Sequence, residues 1–234
     1  MKIAVLSDIH GNYAALLSVI KELKKEKIEK LLILGDIVGY YYHPDKILYE
    51  LENWNYLLIK GNHEEILKRI IDGDLDAGLI KTKYGSGHEH AIKKLNKYQI
   101  NKLITAPSQI NFEIEGLKIL MNHGSPLDPN QYIYPDSDKE ILDSSITPLF
   151  DIILIGHSHY QFIYTNMDTV LLNPGSVGQS RSTGGFADWA IINTKNKVIQ
   201  LRSTFYDSYQ LETEIQKIDP DNSYLLNILK RNRI

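Results

Sequence analysis

The segment Lys2-Ile3-Ala4-Val5-Leu6-Ser7 runs directly into Asp8-Ile9-His10. A short apolar run that includes β-branched residues and ends in polar residues is typical of a buried strand. The same succession of an apolar run and metal-binding side chains recurs in four other segments: 30–36, 56–63, 118–124 and 151–159. In open α/β sheets, ligands bind beyond the carboxyl ends of the strands. We therefore expect all five segments to contribute side chains to one site.

Length and composition limit the kind of protein this is. The chain has 234 residues, a formal net charge of −3 and no cysteine. The charge gives no indication of binding to nucleic acid or to an anionic membrane, and disulfides and thiolate metal sites are excluded. No apolar run approaches the ~18 residues of a transmembrane helix, and the first motif begins at Asp8. The sequence therefore predicts a cytoplasmic protein with one domain over 1–234.

The spacing of apolar residues predicts the order of elements. Strands at 2–7, 31–34 and 56–59 alternate with helices at 12–27 and 44–52, which predicts a mostly parallel sheet with right-handed crossovers. A helical pattern with glycine-rich breaks then predicts a cap inserted at 64–105. The rest of the chain predicts a hairpin, a helix, a buried strand, four more strands and two helices: 109–114 with 117–121, 137–146, 151–155, 161–165, 169–172, 187–193, 197–203, 207–217 and 221–231. The fold class is α/β.

The candidate ligands point to more than one metal ion. Asp8 and His10 are two residues apart, as are His157 and His159, and alternation in an extended chain would place each pair on one side. Two carboxylates, one amide oxygen and four imidazoles are too many for one tetrahedral zinc site. They suit two six-coordinate ions that share a carboxylate: Asp8, His10, Asp36, Asn62, His123, His157 and His159. This mixture of nitrogen and oxygen fits Mn, Fe, Ni or Zn.

The charge of such a centre predicts its ligand. Two divalent ions bring +4 and the two aspartates −2, which leaves about +2, so the centre would attract anions. Two metals about 3.5–4 Å apart can hold both a hydroxide nucleophile and a phosphoryl oxygen for an in-line displacement.

Five motifs in this order resemble those of the calcineurin-like metallophosphoesterases: Asp8-x-His10, Gly35-Asp36, Gly61-Asn62-His63-Glu64, His123-Gly124 and Gly156-His157-x-His159. The turn Asn173-Pro-Gly-Ser-Val-Gly178 also resembles small bacterial and archaeal members, near the diadenosine-tetraphosphatase-related branch. The resemblance runs from Lys2 to about Asn193. It implies a four-layer αββα sandwich, in which two mixed sheets pack together with helices outside.

The resemblance also implies roles for the motif residues. Asp8, His10 and His159 would hold one metal, and Asp36 would bridge to the second. The second metal would be held by the remaining three ligands: Asn62, His123 and His157. Manganese is the favoured metal. His63 would be catalytic, either contacting the phosphate or protonating the leaving oxygen, because Asn62 already supplies a ligand.

Other residues have two possible roles. Tyr40, within Tyr40-Tyr41-Tyr42, and Tyr132 and Tyr134 could stack an aromatic part of a substrate, although packing or loop surface is the interpretation that we favour. Arg181 could clamp a second phosphate or form a surface ion pair. His88 and His90 could form a metal-binding pair, but residues two apart on a helix face different ways. We therefore interpret both as solvated surface.

One departure from the family pattern bears on the function. Protein phosphatases of this family continue the Gly-Asp motif into Asp-Arg-Gly, where the Asp orients the catalytic histidine and the Arg grips phosphate. Here the run is Gly35-Asp36-Ile37-Val38-Gly39-Tyr40. The departure argues against a phosphoprotein phosphatase and leaves His63 without an identified orienting partner.

Three functions follow from this pattern. The leading hypothesis is a dinuclear metal-dependent phosphoesterase that hydrolyses a small phosphodiester or nucleotide-like phosphoester by attack of metal-bound hydroxide. A second is a dinucleoside polyphosphate hydrolase in which the tyrosines hold adenines. A third, of another class, is a non-catalytic interaction module, like the retromer subunit with this fold; the complete ligand set argues against it. The oligomeric state is left open.

Overall fold

The strands form two separate sheets. Within residues 1–232, which the computed structural model describes, the strands are β1 (Lys2–Leu6), β2 (Lys30–Ile33), β3 (Tyr56–Leu58), β4 (Gln109–Ile114), β5 (Leu117–Asn122), β6 (Ile152–Leu154), β7 (Gln161–Asn166), β8 (Thr169–Pro174), β9 (Phe186–Asn193) and β10 (Val198–Phe205). The first sheet has the order β10-β9-β1-β2-β3, and the second has the order β4-β5-β6-β8-β7.

The helices lie between the strands in sequence and after them. They are α1 (Tyr13–Lys25), α2 (Pro44–Leu51), α3 (Asn62–Ile71), α4 (Ala77–Tyr84), α5 (Gly87–Lys94), α6 (Lys97–Ile104), α7 (Lys139–Ser144), α8 (Tyr209–Ile218) and α9 (Ser223–Lys230). A helix that spans a bilayer needs about 20 apolar residues, and no helix in the described part of the chain meets that requirement.

In the first sheet, the predicted parallel arrangement of the three N-terminal strands is confirmed. β1 pairs in parallel with β2, and β2 with β3, while β9 runs antiparallel to β1. The crossover helices begin where the sequence provides caps: the side chain of Asn12 accepts a hydrogen bond from the Ala15 N–H at the start of α1, and Pro44 is the first residue of α2. Both arrangements satisfy or remove an N–H that a helix start leaves unpaired.

The second sheet combines parallel strands with two hairpins. β5, β6 and β8 are parallel neighbours, whereas β4 pairs antiparallel with β5 and β7 with β8. The turn between β4 and β5 contains Glu115 and Gly116, both with positive φ, as the predicted tight hairpin requires. The parallel strands therefore direct their carboxyl ends, at Asn122 and Leu154, toward one edge of the sheet.

Three apolar layers hold these elements together. Ile3, Val5 and Leu32 of the first sheet pack against Met121 and Leu154 of the second, and all five are fully buried. The outer face of the first sheet packs on α1, α2 and α9, and the outer face of the second packs on α7. This is the four-layer αββα sandwich that the sequence resemblance implied, and the predicted fold class is confirmed.

The segment predicted as a helical cap, 64–105, contains most of α3 and all of α4, α5 and α6. α3 packs against α6, α4 against α5, and α5 also against α2 of the sandwich. The predicted glycine-rich breaks are present: residues 72–76 separate α3 from α4, and residues 85–86 separate α4 from α5. The description of this segment as a cap inserted into one domain stays a prediction.

Burial between the sheets should dominate the stability of the fold. We expect Leu32→Ala to lower the free energy of unfolding by about 2–5 kcal/mol, because it removes methyl groups from a close-packed layer and leaves a cavity. Leu79→Ala on α4 is the matched control, since that leucine is 69% exposed and its loss should change stability by no more than about 0.5 kcal/mol. Urea unfolding followed by circular dichroism measures both, and equal effects would contradict the layered core.

Candidate metal centre

The predicted ligand residues all lie just beyond the carboxyl ends of the strands. Asp8 and His10 follow β1, Asp36 follows β2, and Asn62 begins α3 after β3. The second sheet supplies the other three, from the loops after β5 and β6: His123, His157 and His159. The two sheets therefore deliver these residues to one shared edge of the sandwich.

The backbone at this edge differs from the extended chain that the spacing argument assumed. Five of the predicted ligand residues have a left-handed backbone, with φ between 51° and 64°: Asp8, His10, Asp36, His157 and His159. Alternation along a strand is therefore the wrong reason for the convergence of Asp8 with His10 and of His157 with His159. Non-glycine residues in this region cost about 1–3 kcal/mol each and cluster at functional sites.

The first group of donor atoms comes from Asp8, His10 and His159. The Nε2 atoms of His10 and His159 lie 3.1 Å apart, and the His159 Nε2 lies 3.1 Å from Oδ1 of Asp8. These atoms are close enough to one another to surround a single cation. All three side chains are buried.

The second group comes from Asp36, His123, His157 and Asn62. Nε2 of His123 lies 3.3 Å from Oδ2 of Asp36, 2.9 Å from Oδ1 of Asn62 and 3.2 Å from Nδ1 of His157. The same Asp36 oxygen lies 3.7 Å from Nε2 of His10 in the first group. Asp36 therefore stands between the two groups, where a carboxylate shared by two ions would have to be.

Hydrogen bonds on the outer side of each ring fix which nitrogen faces the centre. Nδ1 of His10, His123 and His159 lies 3.1, 2.7 and 3.0 Å from the carbonyl oxygens of Val38, Leu34 and Gln179, respectively. A carbonyl oxygen can only accept, so Nδ1 carries the donated hydrogen and Nε2 is directed inward. His157 is reversed: its Nε2 lies 3.2 Å from the Asn130 carbonyl, and its Nδ1 points inward. This outer hydrogen bonding is what metal-binding histidines require.

An unsatisfied oxygen supports the same conclusion. Oδ1 of Asp8 is buried and accepts no hydrogen bond from any group in residues 1–232. The nearby His159 Nε2 does not supply one, because its ring donates through Nδ1. A buried carboxylate oxygen without a donor is costly, and a divalent cation would satisfy it together with the inward nitrogens. The donor set therefore fits metal ions.

The charges of the site show what a cation would replace. Burial lowers the pKa of His123, but the charge and hydrogen bond of Asp36, the charge of Asp8 and the Leu34 carbonyl together raise it to about 10. Burial lowers the pKa of His10 to about 4 and, together with the charge of His123, that of His157 to about 4. Without metal, His123 is therefore protonated on both ring nitrogens at neutral pH, and the imidazolium lies beside Asp36. A metal ion must displace that proton, as metal binding to histidine generally does.

Glu64 connects two of the motif loops, a role that the sequence analysis did not assign. Its buried carboxylate accepts hydrogen bonds from the backbone N–H groups of Asp36, Ile37 and Gly61, each at 2.8 Å. Asp36 in turn accepts a hydrogen bond of 2.8 Å from the His63 N–H. The side chain of Glu64 thus holds the loop after β2 against the start of α3. A glutamate three residues into a helix is a capping signal, and this signal could have identified it.

His63 lies beside the first group of donors. Its ring centroid is 4.8 Å from that of His10 and 4.9 Å from that of Tyr40. Gly39 lies so close that a Cβ there would be 2.1 Å from Nδ1 of His63. Gly39, which lies in the segment where protein phosphatases of this family have Asp-Arg-Gly, therefore leaves room for the His63 ring.

The interpretation of His88 as solvated surface is wrong. The residue is 2% exposed, and its ring stacks on that of His63 with centroids 5.1 Å apart and planes 10° apart. Its Nε2 also lies 3.2 Å from the His63 carbonyl oxygen. His90 does face another way, toward Tyr42, so the argument about residues two apart was correct but did not show which one points inward. The spacing of His88, Ala91 and Leu95 along one helix face was the available signal.

The candidate substrate residues divide between packing and the site. Tyr40, Tyr41 and Tyr42 all belong to the apolar core, and Tyr40 is only 6% exposed, so packing was the correct interpretation for all three. The Tyr40 ring contacts His10 edge-on at 4.7 Å between centroids. The Tyr132 ring stacks on His157 with centroids 3.8 Å apart and remains 45% exposed. Two tyrosines thus flank the histidines of the candidate centre.

A model of the calcineurin-like phosphoesterase superfamily domain matches residues 1–197. The chain belongs to this superfamily. An uncharacterized protein of Methanocaldococcus jannaschii is 31% identical over 235 residues, covering 92% of each chain. A phosphodiesterase of the same organism is 25% identical over 178 residues, covering 75% of this chain and 83% of its own.

The fold of this calcineurin-like chain is similar to that of solved structures. The crystal structure of a hypothetical protein from Pyrococcus horikoshii OT3 superposes with a TM-score of 0.81, and the match covers 98% of this chain and 97% of that one at 24% identity. The sandwich and its two sheets are therefore shared over nearly the whole length of both proteins.

The position of Asp36 between the two groups predicts the effect of its removal. We expect Asp36→Asn to weaken binding of Mn²⁺ by more than roughly tenfold, because an amide cannot supply the charge that holds two cations at one oxygen. Elemental analysis of protein dialysed against limiting Mn²⁺ measures the content.

Asp143→Asn is the matched control for this measurement. The Asp143 carboxylate accepts hydrogen bonds from Tyr164 and Asn166, away from the centre, so its replacement should leave the Mn²⁺ content unchanged. Wild-type metal content in Asp36→Asn would contradict the shared position of this carboxylate.

Proposed function

We propose that this chain is a dinuclear metal-dependent phosphoesterase that hydrolyses a small phosphodiester or nucleotide-like phosphoester. Membership of the calcineurin-like superfamily supports hydrolase chemistry, and a relative described as a phosphodiesterase supports the diester class. The observation that carries the dinuclear part of the proposal is the Asp36 carboxylate, which lies within 3.7 Å of His10 in one donor group and 3.3 Å of His123 in the other.

The donor groups suggest how two ions would be held. Asp8, His10 and His159 would bind one, and Asp36 would be shared with the second. The ligands of the second ion would be Asn62, His123 and His157. When bound, two such cations would polarise a phosphoryl oxygen and would lower the pKa of a coordinated water, so that a hydroxide nucleophile is available near neutral pH. The mixed nitrogen and oxygen donors suit several first-row metals, and manganese is the one that we favour.

The protein's own part in the reaction is to orient the substrate and stabilise its charge. His63 lies between His10, Tyr40 and His88, outside the set proposed as ligands. An imidazole in this position can donate a hydrogen bond to a phosphoryl oxygen as charge develops, or give a proton to the leaving oxygen. Its ring is held by the stacked face of His88 and by the closeness of Gly39, so its orientation does not depend on the substrate.

Elemental analysis together with a phosphoester panel tests the proposal. Purified protein would be loaded with Mn²⁺, Ni²⁺ or Zn²⁺ and offered bis(4-nitrophenyl) phosphate, 4-nitrophenyl phosphate and mononucleotides. We expect close to two metal ions per chain and turnover of the diester. Protein that binds metal but hydrolyses none of these esters would favour the non-catalytic interaction module instead.

A separate prediction concerns His63. We expect His63→Ala to lower kcat by ~10²–10⁴-fold with the metal content unchanged, because it removes a charge-stabilising group and no proposed ligand. Steady-state kinetics with bis(4-nitrophenyl) phosphate and elemental analysis of the same sample measure the two quantities.

His90→Ala is the control for this variant, because His90 lies on α5 two residues from His88 and its ring faces Tyr42. Its kcat should match that of the wild type. Loss of metal from His63→Ala would show that this histidine is a ligand and that its proposed role is wrong.

A further inference from the structure

The guanidinium of Arg181 lies at the margin of the candidate metal centre. The Arg181 backbone N–H donates to the His159 carbonyl oxygen at 3.3 Å, and Nη1 donates to the Ser158 carbonyl oxygen at 3.4 Å. Ser158 stands between His157 and His159, which belong to different donor groups. These two hydrogen bonds therefore hold the positive charge of Arg181 next to the segment 157–159, which contributes a ligand to each donor group.

Aromatic rings surround this charge. The guanidinium carbon lies 5.8 Å from the ring centroid of Tyr132, the same ring that stacks on His157. Tyr40, whose ring contacts His10, also contacts Tyr84 and Tyr224, with centroids 5.5 and 6.2 Å away. A ring face attracts a cation weakly, by about 0.5–1 kcal/mol at exposed sites. The contact with Tyr132 positions the guanidinium through its face, and the hydrogen bond to Ser158 uses only one of its donor groups.

The charge of Arg181 has no carboxylate partner in residues 1–232. Arg202 shows the contrast: it also lies over an aromatic ring, that of Trp189, but it pairs with Glu26 at 3.1 Å. Both arginines are partly buried. Partial burial of an unpaired charge is unfavourable, so its retention beside the two donor groups suggests a functional role.

The loop that carries Arg181 is fixed to the centre before any ligand arrives. The Ser176 hydroxyl and the Gly178 N–H both donate to the Asp8 carbonyl oxygen, at 2.7 and 3.0 Å. A Cβ at Gly178 would lie 2.0 Å from the Ile9 carbonyl oxygen, so this close approach requires glycine. Because the loop is already ordered, binding through Arg181 carries little cost for ordering it.

We propose that Arg181 binds a second anionic group of the substrate, a phosphate next to the phosphorus that is hydrolysed. The inference rests on the proposed function and narrows its substrate class to esters that contain a diphosphate or longer phosphate chain. A planar guanidinium matches two phosphate oxygens at once. Arg181, which donates at 3.4 Å to the Ser158 carbonyl and has no carboxylate partner in the described residues, is the group that this chain offers for that contact. The Tyr132 ring beside it provides an apolar wall.

Two nucleotides that differ by one phosphate test this assignment without turnover. Mn²⁺-loaded protein is titrated calorimetrically with AMP and with α,β-methylene-ADP, whose bridging carbon prevents hydrolysis between the phosphates. We expect the wild type to bind the second more tightly. Arg181→Gln should weaken binding of α,β-methylene-ADP by roughly 10- to 100-fold, the range for a lost charge-assisted contact, and should change AMP binding by less than about threefold.

Arg202→Gln is the matched control, because it removes a partly buried arginine over an aromatic ring elsewhere; both affinities should stay at wild-type values. Arg181→Lys keeps the charge without the planar fork and should show a smaller selective loss. If thermal melting shows that Arg181→Gln does not fold, Arg181→Lys replaces it in the titrations.

An equal loss of affinity for both nucleotides would overturn the assignment, since Arg181 would then bind the phosphate that they share. No loss for either nucleotide would also overturn it, since Arg181 would then bind no phosphate. Failure of the proposed function is a separate result: metal-loaded wild-type protein that hydrolyses no phosphoester of the panel would refute it whatever the binding ratio.

Discussion

The arrangement of this edge of the molecule depends on the carboxylate of Asp36. One of its oxygens accepts the His63 N–H at 2.8 Å, and the other faces His10 and His123. These contacts join β2, the start of α3 and the second sheet at one side chain. Burial alone would raise the pKa of this acid, but the neighbouring His123 and His63 lower it well below its ordinary value. The fold therefore keeps a negative charge in its interior by surrounding it with imidazoles.

A buried charge of this kind constrains everything around it. Glu64 is another interior acid, and burial and the charge of Asp36 raise its pKa to about 7. Backbone N–H groups from the loops that carry Asp36 and Asn62 oppose that rise by donating to its carboxylate. The outer nitrogens of His10, His123 and His159 are bound to carbonyl oxygens, so the inward nitrogens have one orientation each. Rings held in this way need little reorganisation when a cation arrives, which is the arrangement that favours tight binding and efficient electrostatic stabilisation.

Much of the fold was predictable from the sequence because strands with buried faces are continuous apolar runs. The position of each motif residue followed, since parallel strands end at the same edge. The detailed path of the chain did not follow: the left-handed backbone at Asp8 and His10 is a property of turns that tertiary contacts impose, and periodicity carries no record of it. The spacing of His88, Ala91 and Leu95 carried a signal for the inward position of His88, but not for its stacking on His63, which lies in another segment. The stacking of Tyr132 on His157 likewise depends on how separate segments pack, and no pattern within one segment records it.

The last helix has a consequence for how this protein's selectivity can change. The superfamily model ends at residue 197, yet Tyr224 of α9 donates a hydrogen bond to Gln179 at 3.2 Å and lies near Tyr40. Part of the aromatic group around Tyr40 is thus built by a segment outside the stretch that the superfamily model matches. Mutations in that segment can alter the surroundings of Tyr40 while the proposed metal ligands stay untouched. Relatives with different C-terminal segments would then share a reaction and differ in the substrates that they accept.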